Sequence, residues 1–258
     1  PLAAGVADAL NGAGIAVFGP SARAARLESS KAFAKEIMTA AGVPTAAYGE
    51  YTDQASAYAR LEASDAPYVV KADGLAGGKG VLVTEDLIAA KGWVDACLAG
   101  RFGEAGETVV IEEHLDGDEV SLFFICSGDT AIALDPARDY KRLLDNDAGP
   151  NTGGMGSYSP VHDVDDYFIR WTQTHVAEPT LAALAARGIP YTGFLYVGLM
   201  LTEDGPQVLE FNCRLGDPET QAVLPRLKTD LVALMEATID GTLGRIEMEW
   251  DPRAAMCV

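Results

Sequence analysis

Residues 68–83 (YVVKADGLAGGKGVLV) narrow the possible folds of this chain more than any other stretch. A β-prone run ends on Lys71, and a loop containing Gly74, Gly77, Gly78, Lys79 and Gly80 follows. The apolar run 81–83 then brings the chain back. Glycines let backbone approach a ligand closely and adopt positive φ. Unhindered N–H groups can wrap phosphate oxygens, and two lysines add charge. The stretch reads as a hairpin lid over a polyphosphate; the plainer alternative is a glycine-rich turn. A Walker A loop is excluded: its first glycine would fall on Asp73, and Gly80 follows Lys79 where a hydroxyl is required. A dinucleotide fingerprint is also excluded, because counting from Gly78 ends on Val83 in a strand-like run rather than at a helix.

Such a lid needs a body. The chain has 258 residues, enough for one large domain or two modest ones. At this length roughly 70–75% of the unfolded surface can be buried, so no disulfide or metal is needed for stability. With 19 basic against 38 acidic residues the net charge is −19, which argues against non-specific nucleic-acid binding. An acidic protein that binds an anionic nucleotide needs local basic groups and a divalent cation. Cys97, Cys126, Cys213 and Cys257 form no C-x-x-C pair and read as reduced thiols of a cytoplasmic protein. The longest apolar run, 194–201, is too short to span a bilayer and is interrupted by Gly198. No membrane partner is expected, and we expect a monomer. The chain starts with Pro1 and ends in an apolar run, so we expect a piece of a longer protein.

In chain order, 15–18 is a strand candidate. Ser29 or Ser30 can cap a helix to about Ala41, stopped by Gly42-Val43-Pro44. Lys31 lies in that helix's first turn, against the dipole, so it either has another task or is simply solvated. Thr52 can cap a helix to about Ala63, and another covers about 86–98. With the run at 108–111 this predicts a β-α-β-β-α-β order between 45 and 113. A hairpin is expected over 119–126 and 130–134. A long polar loop should then run from 135 to 160, carrying the basic cluster 138–142 and GPNTGGMG at 149–156. Basic residues beside glycines favour anion binding over disorder there. Helical character returns over 166–187 with a kink or break at Pro179. A hairpin over 194–202 and 207–212 follows, then a helix starting at Asp217-Pro218-Glu219 and a last one over about 230–239.

In residues 208–214 (VLEFNCR), alternation puts Glu210 and Asn212 on one face, with Val208 before them and Arg214 after. A carboxylate beside an amide oxygen is a hard ligand pair of the kind Mg²⁺ takes, the rest of its shell being phosphate oxygens and water. Arg214 can hold a transferring phosphoryl group, a reaction that needs positioning and charge neutralisation more than a protein nucleophile. The alternative is a half-exposed strand with polar residues toward solvent. Glu112 and Glu113 end a strand whose edge can pair with a base, and Glu119 can accept ribose hydroxyls. On the residues alone these three read as surface acids. His114, His162 and His175 are dispersed and read as surface or structural, and there is no G-x-S-x-G.

Taken together, Ser30-Lys31, VVKADGLAGGKGV (69–81), IEEHLDGDEVS (111–121), DYKR (139–142), GPNTGGMGSYSP (149–160), YTGFLYVGLM (191–200) and LEFNCRLGDPETQ (209–221) resemble an ATP-grasp ligase. The last four resemble the glycinamide ribonucleotide synthetases in particular, and the likeness runs from about residue 12 to the end. It implies an α/β (α+β) ATP-grasp fold: two α+β subdomains with the nucleotide between them. The implied division is the end of an N-terminal domain and linker helix (1–45), a lid (46–113), a central subdomain (114–250) and the start of a C-terminal domain (251–258). Most of both terminal domains is expected to be missing.

The resemblance implies that ATP is bound with Mg²⁺ or Mn²⁺. Lys31 and Lys71 would hold the α- and β-phosphates, with Gly74, Gly77, Gly78, Lys79 and Gly80 closing over them. Glu112, the backbone at Glu113, and Leu115 would bind adenine, and Glu119 would bind ribose. Glu210 and Asn212 would hold the metal, and Arg214, Lys141 and Arg142 are the catalytic candidates. Asp139, Asn151, Thr152, Gly153, Gly154, Met155, Gly156 and Asp217 are candidates for binding glycine and 5-phosphoribosylamine. The implied chemistry is attack of the glycine carboxylate on the γ-phosphate, then displacement of phosphate by the amine. The family usually has Gln and His where this chain has Arg138 and Tyr140, which bears on substrate contacts. A second acidic ligand common in the superfamily would fall on Val197 or Gly198, so it is absent here. Two other readings stay open: another ATP-grasp carboxylate–amine ligase or carboxylase, and a truncated module that binds nucleotide without turnover.

Overall fold

The computed structural model describes residues 1–76, 79–145 and 148–258, without the side chains of Pro150 and Asn151. Helices α1 (Val6–Gly12), α2 (Arg26–Ser29) and α3 (Lys31–Ala41) come first. Ser30 is extended and its hydroxyl accepts the Phe33 N–H at 3.1 Å, so it is the serine that caps α3. Gly42, at φ +67°, ends the helix in the left-handed conformation. Phe33, Ala34, Ile37 and Met38 bury one stripe of α3. The strand expected at 15–18 does not form. The segment joins no sheet among the described residues, and Phe18 instead packs edge-on against Phe194.

The β-α-β-β-α-β order is present as β1 (Tyr48–Tyr51), α4 (Gln54–Glu62), β2 (Tyr68–Ala72), β3 (Val81–Thr84), α5 (Leu87–Leu98) and β4 (Val109–Glu112). The strands form one antiparallel sheet in the order β1-β4-β2-β3, so β2 and β3 are the expected hairpin. Asp53, not Thr52, caps α4: its carboxylate accepts the Ser56 N–H at 2.9 Å. Asp86 caps α5. Leu61 and Ala57 of α4, Val94 and Ala90 of α5, and Val70 and Ile111 of the sheet make a core of their own.

A second sheet has the order β10-β9-β5-β6, from β5 (Asp118–Ser127), β6 (Thr130–Ala133), β9 (Thr192–Thr202) and β10 (Gly205–Asn212). Leu122, Phe124, Val197 and Leu199 face α3 and the helices after β8, while Phe123, Ile125 and Tyr196 face the C-terminal helices. Burial of both faces explains the unbroken apolar runs of β5 and β9.

The long loop expected over 135–160 is instead a ribbon. β7 (Arg138–Leu144) pairs antiparallel with β8 (Ala148–Ser159), with irregularities on both sides of Arg142. β11 (Ala255–Cys257) pairs with the end of β8 to complete a third sheet. A polar, glycine-rich ribbon lacks the apolar alternation by which strands are recognised. Helices α6 (Asp166–Thr172) and α7 (Glu178–Ala186) are joined by a π-turn over Gln173–Ala177, so the break precedes Pro179, which sits in the first turn of α7. Helix α8 (Thr220–Val223) is a single turn that starts after Pro218 rather than on it. Helix α9 (Leu231–Ile239) is capped by Asp230. Among the described residues no helix is long and apolar enough to cross a membrane.

The segment between α3 and β1 joins the two larger sheets. Thr45 makes a parallel bridge to Val208 of β10, the Val208 N–H donates to the Pro44 carbonyl at 2.8 Å, and Thr45 Oγ1 donates to the Val208 carbonyl at 2.6 Å.

Candidate functional site

The lysines come together because the end of β2 is fastened to the start of α3. The Lys31 N–H donates to the Asp73 carbonyl at 3.1 Å, and the Asp73 carboxylate accepts the Ala32 N–H at 2.7 Å and the Ser30 hydroxyl at 3.1 Å. An acid thus sits at the positive end of α3. Lys31, the first helical residue, turns its Nζ back to the carbonyls of Asp73 (3.4 Å) and Gly74 (3.3 Å). Burial lowers its pKa and nearby Lys71 adds to that, against the pull of Glu210, Asp73 and Glu112. Lys71 Nζ lies 2.9 Å from Glu112 Oε2, with only 3% of the Glu112 side chain exposed. Lys35 was not picked out in the sequence, yet it reaches the same oxygen at 3.3 Å. Its signal was legible: a lysine at i+4 from Lys31, bordering the buried stripe of α3.

Glu113 turns the other way. Its carboxylate accepts the Ala47 N–H at 2.8 Å and its own N–H donates to the Ala47 carbonyl, so the backbone group it can offer a base is its carbonyl. Leu115, half-buried, follows in the otherwise exposed link to β5. Lys79 is exposed at the hairpin tip. Gly77 and Gly78 lie outside the described residues. Gly74 and Gly80 have no positive φ, contrary to the expectation for a ligand-wrapping loop. A Cβ on Gly74 would lie 2.7 Å from Ala105 Cα, and one on Gly80 would lie 2.7 Å from Ala76 Cβ, so both clear space for protein.

Glu210 and Asn212 are neighbours, with Asn212 Nδ2 donating to Glu210 Oε1 at 3.3 Å. Val208 does not share their face, because a bulge between Val208 and Glu210 puts Val208 into the core with Phe211. Arg214 joins the cluster: Nη2 donates to Asn212 Oδ1 at 3.3 Å and Nε to Glu28 Oε1 at 3.0 Å. The second Glu28 oxygen accepts the Cys213 N–H at 2.9 Å, so a glutamate of α2, also missed in the sequence, fixes this turn. On β9 the residue opposite Glu210 is Gly198, and Val197 is buried on the other face, so no acid faces Glu210 from that strand. A carboxylate and an amide oxygen this close suit a hard divalent cation that completes its shell with phosphate and water. Among the described residues no group of three His, Cys, Asp or Glu could hold a metal alone.

Ser121 on β5, Gly198 on β9 and Glu210 on β10 form one row across the sheet. Behind it, Ser121 Oγ is 2.9 Å from the Tyr196 hydroxyl and 3.3 Å from Glu219 Oε1. Lys141 Nζ reaches over from β7 to Glu119 Oε2 at 2.6 Å and Asp139 Oδ2 at 3.9 Å. Burial works against the Lys141 charge, but Tyr196, Glu119 and Asp139 outweigh it and raise its pKa above the usual lysine range. Burial pushes the carboxyls of Asp139 and Glu219 up. Glu119 is thus held by Lys141, and Glu219 is a further buried acid the sequence reading passed over.

Other candidates have their contacts along the β7–β8 ribbon and at the turn before α8. Arg142 is exposed and donates to the Gly149 carbonyl within its own ribbon at 2.8 Å. The 149–156 stretch is strand rather than loop. Thr152 Oγ1 donates to the Lys141 carbonyl at 2.9 Å and accepts the Gly154 N–H at 3.0 Å. Gly154, at φ +113°, lies against Pro218, and Gly156 lies against the Cys257 carbonyl. Gly153 has open space, and Met155 is exposed. The Asp217 carboxylate accepts from Gln221 Nε2 at 2.7 Å. The side chain of Asn151 lies outside the described residues.

Two α+β units, with Lys71 of one sheet and Lys31 of α3 at their junction and a carboxylate–amide pair on the second sheet, define the ATP-grasp class. A biotin carboxylase from Campylobacter jejuni superposes with a TM-score of 0.73 at 19% identity, over 96% of this chain and 54% of that one, a likeness of fold. The family model "Phosphoribosylglycinamide synthetase, ATP-grasp (A) domain" matches residues 29–220, and the chain belongs to that family. The phosphoribosylamine–glycine ligase of Streptomyces coelicolor is 52% identical over 259 residues, covering 100% of this chain and 60% of the relative. The crystal structure of the Thermotoga maritima phosphoribosylamine–glycine ligase superposes with a TM-score of 0.81 at 37% identity, over 93% of this chain and 61% of that one. The chain therefore spans about three fifths of the length of the curated relatives it matches.

Proposed function

We propose that this chain is the ATP-grasp core of a phosphoribosylamine–glycine ligase, which joins glycine to 5-phosphoribosylamine with ATP to give glycinamide ribonucleotide, ADP and phosphate. The observation that carries the reading is the placement of Lys31 and Lys71 at the junction of the two units, with Lys31 within electrostatic reach of Glu210. In this reading the lid spans 46–113 and the central unit 114–250, flanked by 1–45 and 251–258. Lys31 and Lys71 hold phosphates, and the 74–80 loop, with Lys79, closes over them. Glu112, the Glu113 carbonyl and Leu115 take the base. Glu119 takes the ribose once Lys141 yields it. Glu210 and Asn212 would hold Mg²⁺ or Mn²⁺, which when bound neutralises charge on the phosphates.

Arg214, fixed by Glu28, faces the γ-phosphoryl group as the glycine carboxylate oxygen bonds to phosphorus and ADP departs. The amine nitrogen then bonds to the acyl carbon and phosphate leaves. Asp139 and Lys141 on β7, close to this site, are the side chains suited to position the amino acid or amine. Free cysteines, three of them buried, fit a reducing cytoplasm.

The test is ADP release by this chain with Mg-ATP, glycine and freshly made phosphoribosylamine, each omitted in turn. Release that needs both glycine and the amine supports the reading, and release with other carboxylates in place of glycine points to a different ligase. Nucleotide binding without turnover supports a second reading, favoured by the three-fifths coverage: a nucleotide module whose substrate site needs the rest of the parent protein. Glu210→Ala should abolish metal-dependent nucleotide binding, and unchanged binding would remove the metal assignment.

A further inference from the structure

Lys35 has no role in the reading above. It is 2% exposed and among the largest fully buried side chains of the described residues. Its Nζ donates to Thr45 Oγ1 at 2.8 Å and to the Ala46 carbonyl at 3.1 Å, and lies 3.3 Å from Glu112 Oε2. That oxygen is the one Lys71 holds at 2.9 Å. Thr45 Oγ1 is in turn bonded to the Val208 carbonyl, two residues before Glu210. Lys35 thus ties α3, the connection between the two units, and β4 together.

Resting on the nucleotide reading, we propose that Lys35 is a positioning residue: a standing counter-ion that keeps Glu112 compensated when Lys71 leaves it for a phosphate. The charges decide this. One carboxylate and two ammonium groups leave a surplus of one positive charge, which Lys71 can take to a phosphate while Lys35 and Glu112 remain a neutral pair. Without Lys35, Lys71 would have to abandon a buried carboxylate, and an uncompensated buried charge is strongly unfavourable. Glu112 would then compete with the nucleotide for Lys71.

The charged and titratable groups facing Lys35 are Lys71 on β2, Glu112 on β4 and Glu113 beside it, and the Tyr48 ring on β1, 5.5 Å from Nζ. Burial lowers its pKa to about 8, with Glu112 opposing, so it is charged at neutral pH and neutral in mild alkali. Raising the pH therefore removes the spare charge.

The test is Mg-ADP affinity by calorimetry at about pH 7 and about pH 9.5, bracketing that pKa. The wild type should lose affinity with rising pH. Lys35→Met should bind about tenfold more weakly at the lower pH and lose most of that pH dependence. Lys35→Arg, which keeps its charge at both pH values, should retain affinity at the lower pH and lose less at the higher one, leaving the part due to Lys31. A folded Lys35→Met that binds within about twofold of wild type with the same pH profile overturns the proposal. Should Lys35→Met not fold, Lys35→Arg decides: a fall with pH equal to that of wild type overturns it. If the wild type binds no Mg-ADP at either pH, the nucleotide reading itself falls, an outcome distinct from a variant that binds as wild type does.

Discussion

Two glycine-rich stretches look alike in the sequence and sit in different structures. Residues 74–80 and 149–156 each combine clustered glycines with nearby basic residues. The first joins β2 to β3 at the junction of the two units, beside Lys31 and Lys71. The second is the interior of a strand, with Gly154 against Pro218 and Gly156 against Cys257. Glycine next to positive charge is therefore ambiguous. It marks backbone that something approaches closely, and that something can be the protein's own chain. The side chains separate the cases: Lys71 is half-buried against Glu112, whereas Arg142 is exposed and bonded within its own ribbon.

This contrast can be broken or sharpened by four measurements. Lys71→Met should weaken Mg-nucleotide binding on the order of a hundredfold, as expected for loss of a charge-assisted phosphate contact, measured by calorimetry. Gly154→Ala should destabilise the fold by about 2 kcal/mol in chemical denaturation, since it forces a Cβ at positive φ against Pro218. Nucleotide binding by the folded fraction should be unchanged. If Gly154→Ala instead weakened nucleotide binding as much as Lys71→Met, the two stretches would share a function and the contrast would fail.

The third measurement is stability against pH. Lys35 has a folded pKa of about 8 against an ordinary 10.5, so between those values the unfolded chain binds more protons and stability rises with pH. Lys141 is shifted the other way. Its contribution is fully present below the ordinary lysine pKa and is lost only at higher pH. Melting temperature followed from about pH 7.5 to about pH 10 should therefore carry a rising component that Lys35→Met removes. The smallest effect is expected from Arg142→Ala: a stability change within about 0.5 kcal/mol and unaltered nucleotide affinity, since its guanidinium is bonded to a carbonyl at the surface.

Much of this molecule was legible in the chain. Ser30, one of two serines expected to cap α3, and Gly42 bound that helix as local capping chemistry predicts. The order of elements between 45 and 113 followed from alternating apolar periods. The adjacency of Glu210 and Asn212 followed from the two-residue repeat of a strand, and the motifs were enough to indicate the family. These are short-range signals, carried by residues a few positions apart. Tertiary contact settled the rest. β8 is a strand only because β7 and β11 flank it, and nothing in GPNTGGMG announces those partners. A bulge against β9 turns Val208 inward. Lys35 and Lys71 share one oxygen of Glu112 because α3, β2 and β4 meet there, bringing together residues 41 positions apart and more. Strand pairing and burial of charge depend on what lies across the gap, and that partner is remote in sequence.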